Sequence, residues 1–162
     1  MLYAIIAVAL AAVDQLVKFL VRGNITLYTS VPFIPGVMDL TYYQNTGAAF
    51  SLLNEHTWIL TIISAVVSAA LIVVLVKKIF RTRVANVLLA VVLAGAAGNL
   101  IDRVCFGFVT DMFQTTFMKF AVFNVADVCL VCGIIALCVY VLFFYDKLEK
   151  KEEPHDAPDA DR

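Results

Sequence analysis

The chain has 162 residues, of which 62% are hydrophobic and 15% charged, against about 45 to 50% apolar residues in a soluble globular domain. That composition excludes an ordinary soluble protein and makes this an integral membrane protein, with room for a few spans and one compact unit but for no additional soluble domain. The formal net charge of −1 conceals an uneven distribution along the chain, and no nucleic-acid partner is expected.

Residues 2–21 are long enough to cross a bilayer, since a span needs about 20 mostly apolar residues. No basic residue precedes this apolar run, so a retained span is expected rather than a cleaved leader. Asp14 and Lys18 interrupt it four positions apart. They share one helix face with the acid N-terminal to the base, which suits an ion pair that braces the helix bundle. Residues 22–55 then turn to Thr, Tyr, Pro, Gly and Asn. Pro32, Pro35 and Gly36 mark turns, while Val37 to Tyr43 has strand composition, so a small β-element outside the bilayer is expected. It ends in Gln44-Asn45-Thr46-Gly47-Ala48-Ala49-Phe50-Ser51, where small residues let backbone approach a ligand. Phe50, Leu52 and Leu53 suggest a short interfacial helix. Ser51 and His56 make a poor nucleophile and base, because nothing orients the histidine.

Residues 57–76 carry no charge and form the clearest span. Lys77, Lys78, Arg81 and Arg83 follow it, and a basic cluster beside a span marks the cytoplasmic side. The third span covers residues 84–101, where Gly95, Ala96, Ala97 and Gly98 permit close helix approach. Asp102 and Arg103 close it. A short polar loop carrying Asp111 leads to the fourth span, residues 125–145. Residues 1–146 thus form one four-span domain, and 147–162 an acidic, Pro-containing cytoplasmic tail of disordered composition. Cys105, Cys129, Cys132 and Cys138 are expected to pack as small hydrophobes, the Cys129-x-x-Cys132 spacing included.

With the basic loop inside, both termini lie in the cytoplasm. Asp14, Lys18, Asn45, Asn99, Asp102, Arg103, Asp111, Asn124 and Asp127 then gather toward the outer leaflet. An ionisable residue near hydrocarbon costs roughly 2.5 to 3.5 kcal/mol, so such convergence points to a catalytic or binding site. Asn99 with Asp102 and Arg103, and Asn124 with Asp127, have spacings that share helix faces. Asp111 and Asp127 invite a specific chemistry. Two acids held close cannot both ionise and so share a proton, one taking a proton from water while the other donates to a scissile carbonyl.

Asp14-Gln15-x-x-Lys18, Asn45-Thr46-Gly47-Ala48-Ala49-Phe50-Ser51, Gly98-Asn99-Leu100-Ile101-Asp102-Arg103, Val109-x-Asp111 and Phe123-Asn124-Val125-Ala126-Asp127 together resemble lipoprotein signal peptidase, the type II signal peptidase of bacteria. The resemblance implies an all-α membrane protein of four transmembrane helices with a small extracytoplasmic β-cradle and a short interfacial helix. It also implies an aspartic endopeptidase in the bacterial inner membrane, cutting prolipoproteins just before a diacylglyceryl-modified cysteine. Asp111 and Asp127 become the catalytic dyad, Asn45, Gly47, Asn99, Arg103 and Asn124 the substrate-binding residues, and Asp14, Lys18 and Asp102 supporting ones. The lipid-modified prolipoprotein and membrane lipid are the implied partners, with a globomycin-type inhibitor beside the dyad. No cofactor or metal is expected, since the chain lacks a His or Cys cluster with ligand spacing. Asp111 is followed by Met112-Phe113-Gln114-Thr115, where the family commonly has Phe and a further acid, which puts substrate contacts of that loop in question. The rival reading is a small proton- or ion-coupled transporter, which predicts polar residues spread through the membrane depth.

Overall fold

Hydropathy and length dictate four helices, and the computed structural model, which describes residues 1–47 and 57–144, contains them: α1 (Leu2–Asn24), α2 (Thr57–Val76), α3 (Arg83–Phe106) and α4 (Val125–Phe143). All four are long and apolar enough to cross a membrane. Their outward residues are large hydrophobes, among them Phe19, Ile62, Val66, Val131 and Leu142, as a bilayer-facing surface requires.

α3 is the hub against which the other three helices pack. Its buried face is built of small residues, including Ala85, Ala90, Ala94, Gly95, Ala96 and Gly98. In a bilayer there is little hydrophobic drive between helices, so close backbone approach supplies the attraction. At Gly98 an added Cβ would lie 2.6 Å from Asp14 Oδ2 and 3.1 Å from the Ala126 Cβ, so α1, α3 and α4 converge there. The small-residue run predicted to allow close approach does so.

Three strands form one antiparallel sheet in the order β1-β2-β3: β1 (Ser30–Ile34), β2 (Met38–Asn45) and β3 (Val109–Thr115). Pro35 and Gly36 make the turn between β1 and β2. The Val37 N–H donates to the Ile34 carbonyl at 3.0 Å and Gly36 sits at φ 73°, the left-handed position that glycine fills in a type II turn after proline.

The structure corrects the sequence reading in four places. The β-element does not lie wholly within residues 22–55, because its third strand comes from Val109–Thr115, and Asp111 sits in that strand rather than in a polar loop. α1 runs on to Asn24, so Arg22 is helical. α3 continues past residue 101 to Phe106 and stops at Gly107, whose φ of 77° and N–H bond to the Arg103 carbonyl make a left-handed cap. Cys105, Cys132 and Cys138 are exposed on the helix surfaces rather than packed in the core, and Cys129 is half-buried. The expected interfacial helix, Ser51 and His56, and the tail lie outside the described residues.

Candidate active site

The sheet and the helices meet where β3 turns back into α4. The Met112 and Phe113 N–H groups donate to the Phe123 carbonyl at 3.0 and 2.8 Å, and the Phe123 N–H returns a bond to the Phe113 carbonyl at 3.2 Å. That pairing delivers Asn124, the next residue, beside Asp111. Asn124 then starts α4 through a reciprocal cap: its Oδ1 accepts from the Asp127 N–H at 2.8 Å, and Asp127 Oδ2 accepts from the Asn124 N–H at 3.2 Å. A carboxylate in a helix's first turn also meets the positive end of the helix dipole. Asp127 is therefore fixed by the start of the helix that carries it.

Asn124 uses its remaining donor on the other acid. Its Nδ2 donates to Asp111 Oδ1 at 2.6 Å and to Asn99 Oδ1 at 3.1 Å. Asn45 Nδ2 donates to Asp111 Oδ2 at 2.9 Å. Tyr43 stands opposite Asp111 in the β2–β3 register, so Asn45, two residues on, is its diagonal neighbour on the same face. The Gly47 N–H holds Asn45 Oδ1 at 3.0 Å and so aims its amide. Asn99 Nδ2 donates to Asp127 Oδ1 at 2.7 Å. Each oxygen of each carboxylate thus receives an N–H donor.

Asp111 is almost completely enclosed, at 1% exposure. Burial, then the charge of Asp127, push its carboxyl up to about 7, against the pull of the Asn45 and Asn124 amides and the more distant Lys18 ammonium. An acid so poised carries a proton into the neutral range.

Behind the acids lies a second layer. Lys18 Nζ sits 2.9 Å from Asp14 Oδ2 and 3.2 Å from Asp102 Oδ2, and donates to Asn99 Oδ1 at 3.0 Å. The predicted Asp14–Lys18 pair is present and includes Asp102 as a third member. Asp14 Oδ1 accepts from the Ala126 N–H at 2.8 Å, one residue from Asp127. Asp102 Oδ2 accepts from the Thr110 N–H at 2.9 Å, one residue from Asp111. Asp14 therefore holds the backbone next to Asp127, and Asp102 the backbone next to Asp111. Arg103 leaves this cluster and reaches Ser64 Oγ on α2 at 3.3 Å.

Of the ten residues expected at the site, nine fall in this one hydrogen-bonded constellation, and Arg103 lines the cavity beside it. Sequence reasoning gave no role to three others. Gln15 Nε2 ties α1 to the Gly98 carbonyl at 3.0 Å and to Asp102 Oδ1 at 3.1 Å. Arg22 Nη1 donates to Thr110 Oγ1 at 2.9 Å, with its guanidinium 4.6 Å from the centre of the Phe106 ring. Gln15 had a visible signal, an amide inside an apolar run. Arg22 and Thr110 had none without the fold.

Asp111 and Asp127 stand in the wall of a cavity of about 370 Å³. Asn45, Asn99, Arg103, Asp111 and Asp127 supply polar groups, and Val109, Phe120 to Phe123, Val128, Leu130, Val131 and Cys132 the apolar surface. The two acids thus stand at the edge of a mainly apolar chamber.

The family model described as signal peptidase II matches residues 6–143. The chain belongs to that family. The signal peptidase II assignment is supported by close relatives: the lipoprotein signal peptidase of Enterococcus faecalis is 43% identical over 150 residues, covering 93% of this chain and 92% of that protein. That of Clostridioides difficile is 41% identical, covering 91% and 99% respectively. A bacterial membrane enzyme solved by the in meso method at 2.3 Å shares the fold with a TM-score of 0.81 and 28% identity, over 96% of this chain and 94% of that one. A second, solved at 1.9 Å, gives 0.78 and 30% over 88% and 92%. As a member of signal peptidase II this chain is a multi-pass bacterial membrane protease. The transporter reading is not favoured, since the buried charges collect in one network instead of lining a path through the bundle.

Proposed function

We propose that this protein is an aspartic endopeptidase that removes the signal peptide from diacylglyceryl-modified prolipoproteins, with Asp111 and Asp127 as its catalytic pair. The observation that carries this reading is Asn124, which binds both carboxylates at once and holds them in the wall of an apolar cavity. The pair shares one proton. The ionised member removes a proton from a water molecule, whose oxygen attacks the carbonyl carbon before the modified cysteine, while the protonated member donates to the carbonyl oxygen. Collapse of the tetrahedral species breaks the C–N bond: the leaving amine takes up the proton gained from water, and the acid that protonated the carbonyl oxygen takes its proton back as the new carboxyl group forms. The two carboxyls titrate as a unit, so the roles belong to the pair.

Asn45, Asn99 and Asn124 orient the acids and, with Arg103, the substrate backbone, with Gly47 aiming Asn45. Lys18, Asp14 and Asp102 brace them. The apolar wall suits the acyl chains, each buried methylene contributing about 0.8 kcal/mol, and a globomycin-type peptide is a candidate for the same space. The basic residues Lys77, Lys78, Arg81 and Arg83 between α2 and α3 support an orientation with both termini in the cytoplasm and the dyad at the outer leaflet.

The test is cleavage of a diacylglyceryl-modified prolipoprotein by the purified protein in vesicles, read by gel shift. Wild type cuts, and a folded Asp127→Asn variant does not. A variant that cuts as fast as wild type removes Asp127 from the mechanism.

A further inference from the structure

The chain between β3 and α4 leaves the sheet at Thr115 and rejoins it at Phe123, where the pairing with Phe113 closes a loop. Inside that loop Phe117, Met118, Lys119 and Phe120 follow one another, and all four are exposed. Phe117 is 66% exposed and Phe120 51%. Two aromatic rings and a thioether grouped on a short loop form an apolar patch of the kind that needs a cover.

Its depth identifies the cover. Phe120 lines the same cavity as Val131 and Cys132, six and seven residues beyond Val125, where α4 starts. At 1.5 Å of rise per residue those positions lie about 10 Å along the helix. Phe120 therefore stands beside the first turns of a membrane-spanning helix whose exposed Val128 and Val131 line that cavity with it. The exposed Phe117, Met118 and Phe120 add apolar surface at this end of α4. Its charge fits as well: Lys119 is the single ionisable residue from 115 to 123. A cation among aromatic and thioether side chains matches the headgroup boundary, where phosphates meet acyl chains.

We propose that the 116–120 loop is a bilayer anchor, with Phe117, Met118 and Phe120 inserted among the acyl chains of the leaflet on the dyad's side and Lys119 held at the lipid phosphates. Anchored so, the loop keeps the cavity wall formed by Phe120 and Val131 at the level of the lipid chains, and a substrate carrying acyl chains enters from the leaflet rather than from water. That consequence for substrate entry rests on the proposed function, whereas the membrane contact does not.

Trp58 is the chain's single tryptophan, so the test uses the full-length protein with Trp58→Phe and, separately, Phe117→Trp or Met118→Trp, reconstituted in phosphatidylcholine–phosphatidylglycerol vesicles. The introduced indole is expected to emit at blue-shifted wavelength, to lose about half its fluorescence to lipids brominated near the glycerol end of the chain, and to resist aqueous iodide. Quenching by brominated lipid at either position supports the anchor. Water-like emission at both positions, quenched by iodide and untouched by brominated lipid, overturns it. Fluorescence is read without substrate, so the outcome is independent of whether the protein cleaves prolipoproteins.

Discussion

Lys18 Nζ lies 3.0 Å from Asn99 Oδ1, and this contact decides which way the Asn99 amide points. With its oxygen held by the ammonium and by Asn124, Asn99 has only its Nδ2 left to offer Asp127. The same ammonium pairs with Asp14 and Asp102, both buried, and Arg22 Nη1 lies 3.8 Å from Asp102 Oδ1 on the other side. Removing one partner of a buried ionic cluster leaves uncompensated charge and costs about 3 to 5 kcal/mol. Lys18→Met is therefore expected to lower the thermal unfolding temperature sharply, measured on the detergent-solubilised protein. A variant that unfolds at the wild-type temperature would show that Arg22, water or relaxation compensates the two acids.

The raised Asp111 carboxyl gives the protein a pH signature. Its native value of about 7 stands above the ordinary 3.8, so between those values the folded state holds a proton that the unfolded chain has lost. Stability from this group is thus greatest at low pH and declines as pH rises from about 4 to 7. For catalysis the shared proton is present below about pH 7 and lost above it. The expected profile of kcat/KM falls about tenfold per pH unit on the alkaline side, with an apparent midpoint near 7. A profile flat to pH 9 would separate the rate from Asp111.

Much of this was legible in the sequence because the bilayer imposes strict demands. A span must be long and apolar, and a charge inside one needs a partner, which is why four helices and the Asp14–Lys18 pair could be read directly. β3 was missed for a physical reason. Val109–Thr115 is short, its Val, Thr and Phe residues are shared with apolar loops, and its pairing partner β2 is more than sixty residues away. No local pattern reveals a strand completed by so distant an edge. The end of α3 was legible in principle, because Gly107 supplies the left-handed cap. The division of those two neighbours, Asp102 toward Lys18 and Arg103 toward Ser64, follows from the 100° between successive helical residues.

Glycines in this protein are predicted to fall into two classes. Gly98→Ala places a methyl 2.6 Å from Asp14 Oδ2, an oxygen fixed by Lys18 and unable to yield. Overpacking of this kind costs about 1 to 3 kcal/mol, and here it also pushes on the carboxylate that holds the Ala126 N–H. Gly23 lies in α1 with nothing within 4 Å of an added Cβ, so Gly23→Ala is expected to be neutral or to stabilise by up to about 1 kcal/mol. Thermal unfolding of the two variants side by side tests the contrast. Equal behaviour would mean that the α1–α3–α4 contact at Gly98 is looser than its geometry.

Asn124 separates the folding and chemical roles of the α4 start. Asn124→Ala loses the cap on Asp127 and the donor to Asp111 together, and loss of such a cap alone costs about 0.5 to 2 kcal/mol. Asn124→Ser keeps a cap-forming oxygen while its shorter hydroxyl no longer reaches Asp111 Oδ1, now held at 2.6 Å. The serine variant is expected to unfold within a degree or two of wild type yet to show kcat reduced by about 10²-fold, the scale of a lost positioned group in acid–base catalysis, with KM little changed. Its alkaline limb moves to higher pH, because one of the amide bonds that favour the ionised Asp111 is gone. Cleavage rates across pH 5 to 9, alongside unfolding temperatures, decide the matter. If the serine variant keeps the wild-type kcat, Asn124 serves only to start the helix, and the bridge between the two acids has no part in the chemistry.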